Sequence, residues 1–183
     1  MTLAELATRC WTESRKTLAA VESYRATHCP PAYVTVFVDV EVDTWTGQVE
    51  TKRAVMGSDC GTVINPKLAA GQLEGGLSMG AGYALYEAMR WDKEGRLLSG
   101  GYWIDAKTPS IGETPLVEKL EVQFADTYEP TGPFGAKGIG EAAMNPVAAA
   151  YANAIYNAIG IRLYHLPITP ERILMALEDG NDE

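Results

Sequence analysis

Alternation between valine and other residues is the clearest pattern in the chain. Valine occupies every second position from Val34 to Val42, and the residues between are polar or aromatic. A period of two places these valines on one face of a β-strand, so the pattern predicts a half-buried strand over residues 33–43. Turn-forming residues follow at 43–47, and residues 48–56 predict a second strand that completes a hairpin.

Apolar residues at three- and four-residue steps predict a helix at the start of the chain. The stripe begins at Leu3 and continues to Tyr24, and the helix is expected to end near residue 27, before Pro30 and Pro31. We expect this helix to pack on the chain's own sheet. Its length would also suit a helix that docks on a partner.

A longer, glycine-rich helix is predicted from residue 66 to about residue 91, with Asn65 as its N-cap. Each glycine inside a helix costs about 0.5–1 kcal/mol relative to alanine. The missing side chains are therefore expected to let another backbone or a flat ligand approach closely. The simpler alternative is close packing on the sheet, with Gln72 solvated or capping a neighbour. The glycines concerned are Gly71, Gly75, Gly76, Gly80 and Gly82.

The remaining segments predict short strands and two further helices. Taken together, the chain predicts a single domain over residues 1–183, of the α+β class, in which hairpins and a mixed sheet pack against several helices. The other predicted elements are a turn at 92–95, strands at 96–102, 116–124 and 161–166, a loop at 104–114, and helices at 142–159 and 170–177, the last with Thr169 as N-cap.

A glycine-rich loop precedes the alanine-rich helix and ends in a carboxylate. Four glycines fall within residues 132–140, and Glu141 follows the last of them. Glycine permits close approach of the backbone to a ligand, and successive amides in such a loop can form an anion-binding concavity. Glu141 is either a catalytic carboxylate or an acid that favours the helix N-terminus. Lys137 either adds positive charge to the loop or points to solvent.

Composition narrows the classes of function. The chain has 183 residues, 46% hydrophobic and 21% charged, which is ordinary for a globular domain that can bury a core. Its net charge of −9 disfavours nucleic-acid and anionic-membrane binding, and no apolar run reaches the ~18 residues of a membrane-spanning helix. The sequence predicts a cytoplasmic chain, because its three cysteines are scattered and it has no signal-peptide pattern. It predicts no protein-ligated metal site, because the two histidines are isolated.

Three motifs, in order along the chain, carry a resemblance. They are DCGTVINP at 59–66 continued by GQLEGG at 71–76, GAKGIGE at 135–141, and LPITPERIL at 166–174. Together they resemble the molybdenum hydroxylases, the family of xanthine dehydrogenase and aldehyde oxidoreductase. The resemblance runs from about residue 31 to the C-terminus and implies the C-terminal part of a molybdopterin-binding domain. The chain departs from that pattern at Met79, where many relatives carry glutamine.

The resemblance implies specific site residues. Glu141 matches the family's active-site base, which must be ionised at working pH to accept a proton. A glutamine of the family reaches the pterin, and the loop amides face the oxygens of the metal. No residue of this chain is expected to be a metal ligand. The implied cofactor-binding residues are Gln72, Lys137, Gly138, Ile139 and Gly140.

The resemblance also implies an activity and partners. The reaction would be oxidation of an N-heterocycle, such as a purine, or of an aldehyde, with oxygen drawn from water. The molybdopterin cofactor would be shared with a missing larger portion of the domain, and iron–sulfur clusters and FAD would lie on other domains or subunits. The chain would thus be a fragment or subunit of an oxidoreductase, bind a small-molecule substrate with those partners, and be inactive in isolation.

Two alternatives from other classes stay open. A non-catalytic binding or assembly module would keep the fold and the anion-binding loop, and molybdenum with a pterin in the native assembly would distinguish the enzyme from the module. A thiol enzyme that uses Cys60 is disfavoured, because no histidine lies close in sequence and buried structural cysteines are commoner.

Overall fold

The fold is built on a three-stranded sheet, described in a computed structural model that covers residues 1–25, 28–102, 104–114 and 119–180. A second, two-stranded ribbon lies outside that sheet. The strands are β1 (Tyr33–Val42), β2 (Val49–Asp59), β3 (Arg90–Trp91), β4 (Leu97–Ser99) and β5 (Leu120–Phe124), and the helices are α1 (Leu3–Ser14), α2 (Pro66–Leu85), α3 (Val147–Ile159) and α4 (Pro170–Gly180).

The predicted hairpin is confirmed. β1 pairs antiparallel with β2, and β5 adds to the other edge of β2 in the parallel sense, which gives the order β1-β2-β5. The valines from Val34 to Val42 pack against the core, while the residues between them, such as Phe37 and Glu41, stay exposed. Period-two patterning therefore decided which face of β1 the helices cover.

Two of the α2 glycines allow the core to close. A Cβ on Gly76 would collide with the Ala143 side chain, and a Cβ on Gly80 would collide with that of Val147. These glycines lie one helical turn apart, so α2 can approach the segment that leads into α3. Close approach of another backbone, as predicted, explains Gly76, whereas at Gly80 the Val147 side chain occupies the space. Gly71 and Gly75 differ, since a Cβ on either would meet nothing within 4 Å.

The prediction for the first helix is wrong in length and in packing. α1 ends at Ser14, after which Arg15 adopts a left-handed conformation with φ of 54°. Thr2 and Glu5 form a capping box that starts the helix, but none of its residues is buried. The apolar stripe has no described partner to cover it, and a helix depends on such packing to continue.

Smaller differences concern the ends of other elements. α2 stops at Leu85, short of residue 91, and Arg90 and Trp91 instead pair with β4 across the predicted turn at 92–95. α3 begins at Val147 because Pro146 has no N–H to donate, so residues 141–143 form only a 3-10 turn.

Near the C-terminus one prediction is confirmed and another is wrong. Residues 161–166 find no partner strand among the described residues and form no strand. α4 follows as predicted, with the Thr169 hydroxyl accepting a hydrogen bond from the Arg172 amide at 3.4 Å. For the predicted strand at 116–124, the structure confirms Leu120–Phe124, and residues 116–118 lie outside the described residues.

The two kinds of glycine in α2 predict opposite effects of alanine. We expect Gly76→Ala to lower the free energy of unfolding by about 1–3 kcal/mol, because the added methyl group collides with Ala143. The matched control Gly75→Ala meets nothing and should raise stability by about 0.5–1 kcal/mol through helix propensity. Urea unfolding of both variants measures the difference, and equal effects would contradict this account of the packing.

Candidate cofactor-binding site

Two glycine turns meet back to back at the end of β2. The Thr62 amide donates to the Gly135 carbonyl at 2.8 Å, and the Lys137 amide donates to the Cys60 carbonyl at 2.7 Å. Gly61 has φ of 65° and Gly135 has φ of 81°. A Cβ on Gly61 would collide with the Gly135 carbonyl. Position 61 therefore requires glycine both for its positive φ and for the space that the contact leaves. The glycine-rich loop is therefore attached to β2 through its residues 135–137.

A nearly buried ion pair reinforces the attachment. The Lys137 ammonium lies 2.8 Å from the Asp59 carboxylate, with the two side chains 8% and 25% exposed. The same carboxylate accepts hydrogen bonds from the Thr127 hydroxyl at 2.6 Å and from the Gly61 amide at 3.2 Å. The ammonium also lies 5.5 Å from the centre of the Tyr33 ring. Lys137 therefore does not point to solvent, and its charge is matched by Asp59.

These contacts strongly lower the pKa of the Asp59 carboxyl. The hydrogen bond from Lys137, then those from Thr127 and the Gly61 amide, lower the pKa of Asp59 from 3.8 to about 2. Asp59 therefore stays ionised over the physiological range.

A cavity of about 320 Å³ lies between this loop and the start of α2. It brings together three of the predicted cofactor-binding residues, since Gln72 lines it from α2 while Lys137 and Ile139 line it from the loop. Gln72 is exposed and hydrogen-bonds to no described residue, so both its donor and its acceptor are available. The other lining residues are Cys60, Thr62, Val63, Ile64, Asn65, Leu68, Ala69 and Ala136.

The segment from Gly138 to Gly140 presents open backbone. Both glycines are exposed, and a Cβ on either would meet nothing within 4 Å. Within the described part of the chain, the amides of Gly138, Ile139 and Gly140 donate to no acceptor. Ile139 packs its side chain against the core and so holds the segment in place. Three available N–H groups beside a largely apolar cavity that Gln72 also lines fit a ligand that carries acceptor oxygens, as an oxo-metal pterin group does.

Glu141 follows this segment directly. It begins the 3-10 turn Glu141–Ala143, whose last residue is buried against α2. The Glu141 carboxylate is exposed and forms no hydrogen bond or ion pair with any described residue. It does not line the cavity, and neither do Gly138 and Gly140. The structure therefore brings Gln72, Lys137 and Ile139 together and places the two glycines and Glu141 next to them along the backbone.

Comparison with known proteins decides the family. Residues 1–115 match the model of the molybdopterin cofactor-binding domain. The chain belongs to the molybdenum hydroxylase family. It is 38% identical over 156 residues to the xanthine dehydrogenase molybdenum-binding subunit of Escherichia coli O157:H7, covering 85% of this chain and 20% of that protein.

Two further relatives support the family and the α+β fold. The aldehyde oxidoreductase of Megalodesulfovibrio gigas is 35% identical over 164 residues, covering 84% of this chain and 17% of that protein. The crystal structure of the Cu,Mo-CO dehydrogenase superposes with a TM-score of 0.82 at 29% identity, covering 98% of this chain and 23% of that one. This molybdenum hydroxylase chain thus spans about a fifth of the length of the curated relatives it matches.

The thiol hypothesis finds no support in the structure of this molybdenum hydroxylase chain. Cys60 is only 4% exposed, and burial raises the pKa of its thiol. A nucleophilic cysteine needs the opposite shift. Among the described residues, no group of three histidine, cysteine or acidic side chains is placed to hold a metal ion, and no helix is long and apolar enough to cross a bilayer.

Sequence reasoning missed the partners of Lys137. Asp59 stands at the start of the DCGTVINP motif, which marks it as a residue of interest, but Thr127 and Tyr33 carry no local signal. The pairing depends on the parallel addition of β5 beside β2, which brings residue 127 to the end of β2.

The lowered pKa of Asp59 predicts a pH-dependent contribution to stability. A carboxyl whose pKa falls from 3.8 to about 2 on folding stabilises the folded state above about pH 4, and this stabilisation is lost as the pH falls from about 4 to 2. The difference in unfolding free energy between wild type and Asp59→Asn should therefore be constant near neutrality and shrink over that interval. Urea unfolding across pH 2–7 measures it.

Asp39→Asn is the matched control for this experiment. Asp39 is an exposed carboxylate on β1 that makes no hydrogen bond or ion pair with a described residue. Its variant should differ little from wild type across the same pH range. A gap for Asp59→Asn that persists unchanged at pH 2 would contradict the assigned pKa.

Proposed function

We propose that this chain is the C-terminal part of the molybdopterin-binding domain of a hydroxylase that oxidises an N-heterocycle or an aldehyde. The observation that carries the proposal is the cavity lined by Gln72 and Ile139, beside the loop whose Gly138, Ile139 and Gly140 amides donate to no described acceptor. The chain supplies this one side of the cofactor site, together with the base Glu141. The named activities of the relatives, xanthine dehydrogenase and aldehyde oxidoreductase, support both substrate classes.

Each residue has a distinct task in this proposal. Gln72 donates to and accepts from the edge of the pterin, and the three loop amides donate to anionic oxygens. When bound, the molybdenum–pterin group supplies the two-electron redox centre and the site at which water-derived oxygen is activated. Glu141 accepts a proton at its carboxylate during that activation, and it can do so because no described cation is paired with it.

The proposal requires the rest of the polypeptide or assembly. If this chain alone contacted the pterin, it would cover one side and leave most of the cofactor's polar edge in water. Ligands of this kind are largely enclosed when bound. α1 supports the need for a partner, because Leu3 and Trp11 are 82% and 62% exposed on a helix with no buried residue. We expect the remaining portion of the domain to cover such surfaces, and iron–sulfur and flavin domains or subunits to accept the electrons. The isolated chain should therefore have no hydroxylase activity.

Replacement of the base tests the catalytic part. In the complete enzyme we expect Glu141→Gln to lower kcat by about 10²–10⁴-fold with molybdenum content unchanged, because the amide keeps the shape but accepts no proton. Glu171→Gln, on the exposed first turn of α4, is the matched control and should leave turnover intact. Near-normal turnover of Glu141→Gln with full cofactor would favour a non-catalytic role for this carboxylate.

Replacement of the loop glycines tests the binding part. Gly138→Val or Gly140→Val should reduce molybdenum and pterin content severely, because the side chain enters the space that the unpaired amides face. Neither glycine has positive φ, so the stability of the chain itself should change little. Gly135→Val, at φ of 81°, should instead unfold the attachment. Full cofactor content in both Gly138→Val and Gly140→Val would show that the loop is a surface turn.

A further inference from the structure

In the described part of the chain, the loop has one charged attachment to the sheet, and it lies immediately before the proposed functional residues. Lys137 is the last residue whose amide bonds to the neighbouring strand end, with 2.7 Å between its nitrogen and the Cys60 oxygen. The next three amides make no hydrogen bond to a described residue. Among the described residues, the packing of Ile139 against the core holds the segment between Lys137 and Glu141, and Ala143 packs against α2 just after Glu141.

We propose that Asp59 and Lys137 form a positioning pair, which sets where the Gly138–Gly140 amides and Glu141 lie relative to Gln72. This inference rests on the proposed function. It assigns Asp59 a role although Asp59 is not among the described residues that line the cavity, so its influence acts through Lys137 and not through contact with the cofactor.

Both oxygens of the Asp59 carboxylate take part in fixing the loop. One Asp59 oxygen holds the Lys137 ammonium at 2.8 Å, and the other accepts from the Thr127 hydroxyl and the Gly61 amide. A single carboxylate therefore joins three segments: the end of β2, the residues after β5 and the glycine-rich loop. Since Lys137 is 8% exposed, loss of Asp59 leaves a nearly buried charge that must move to reach water, and the loop moves with it.

A surface ion pair on the same sheet provides a contrast. Arg53 and Glu121 also approach to 2.8 Å, but their side chains are 64% and 46% exposed. Solvent screens such a pair, and its loss leaves neither charge buried. Arg53→Met with Glu121→Gln is therefore a control that removes an ion pair of the same N–O distance outside the loop.

The first measurement concerns the attachment itself and needs no cofactor. In the intact chain, hydrogen exchange at the bonded amides of Lys137 and Thr62 should be at least tenfold faster in Asp59→Asn than in wild type, and unchanged in the Arg53/Glu121 control. Asp59→Glu keeps the charge, and its exchange rates should lie between those of wild type and Asp59→Asn. Unchanged exchange at both amides in Asp59→Asn would overturn the proposal.

The second measurement concerns positioning. In the complete enzyme, Asp59→Asn should lower kcat per bound molybdenum by tenfold or more while KM stays within about twofold, because a misplaced base slows the chemical step. Asp59→Glu should recover part of kcat. The double variant Asp59→Asn/Lys137→Met should be no worse than Asp59→Asn alone, since the pair acts as a unit. Additive losses, or a kcat equal to wild type, would overturn the proposal.

The two measurements separate this inference from the proposed function. If Glu141→Gln leaves turnover intact, the role of the base fails, yet the exchange rates still report whether Asp59 fixes the loop. If Glu141→Gln abolishes turnover while Asp59→Asn leaves both exchange and kcat unchanged, the proposed function stands and the positioning pair does not.

Discussion

Direct backbone contact between the turn at Gly61 and the turn at Gly135 determines where the glycine-rich loop lies. Each turn has positive φ at its glycine, and no side chain fits between them. The contact brings the Lys137 amide to the Cys60 carbonyl and the Lys137 ammonium to Asp59, at the end of the longest strand. A rigid strand end thereby supports a segment whose own amides remain unpaired. The candidate site depends on this arrangement, because nothing polar within the loop fixes Gly138 to Gly140.

α2 contributes to both the core and the candidate site. Gly76 and Gly80 point inward and admit Ala143 and Val147, Gln72 lines the cavity, and Gly71 and Gly75 point into open space. Packing accounts for the inner pair completely. The outer pair reduces helix stability by about 0.5–1 kcal/mol for each glycine, and a Cβ at either position would meet no described atom within 4 Å. A cost of this kind is typical of functional surfaces, where a local rule is broken for the benefit of a ligand or a partner.

The sequence predicted those parts of the structure that depend on local pattern. Val34 to Val42 located β1 and its buried face, and Asn65 and Thr169 located the starts of two helices. It could not predict the partner of Lys137, because the two sides of the pair meet only after β5 joins the sheet. Glycine content identified the loop, but it did not distinguish Gly135, which needs positive φ, from Gly138 and Gly140, which do not. The apolar stripe of α1 likewise indicated burial without indicating which surface covers it.

The parallel pairing of β2 with β5 bears on the order in which the protein forms. A hairpin such as β1–β2 closes within about 1–10 μs from neighbouring residues, whereas a parallel pair needs the whole crossover, α2 included, before any of its bonds is made. Closing a loop of this length costs conformational entropy before any non-local contact forms, so this step is intrinsically slow. The glycine-rich loop follows β5 in the chain and attaches to the end of β2, beside β5. The candidate cavity is therefore expected to be among the last features of this chain to form, after the hairpin and α2 are in place.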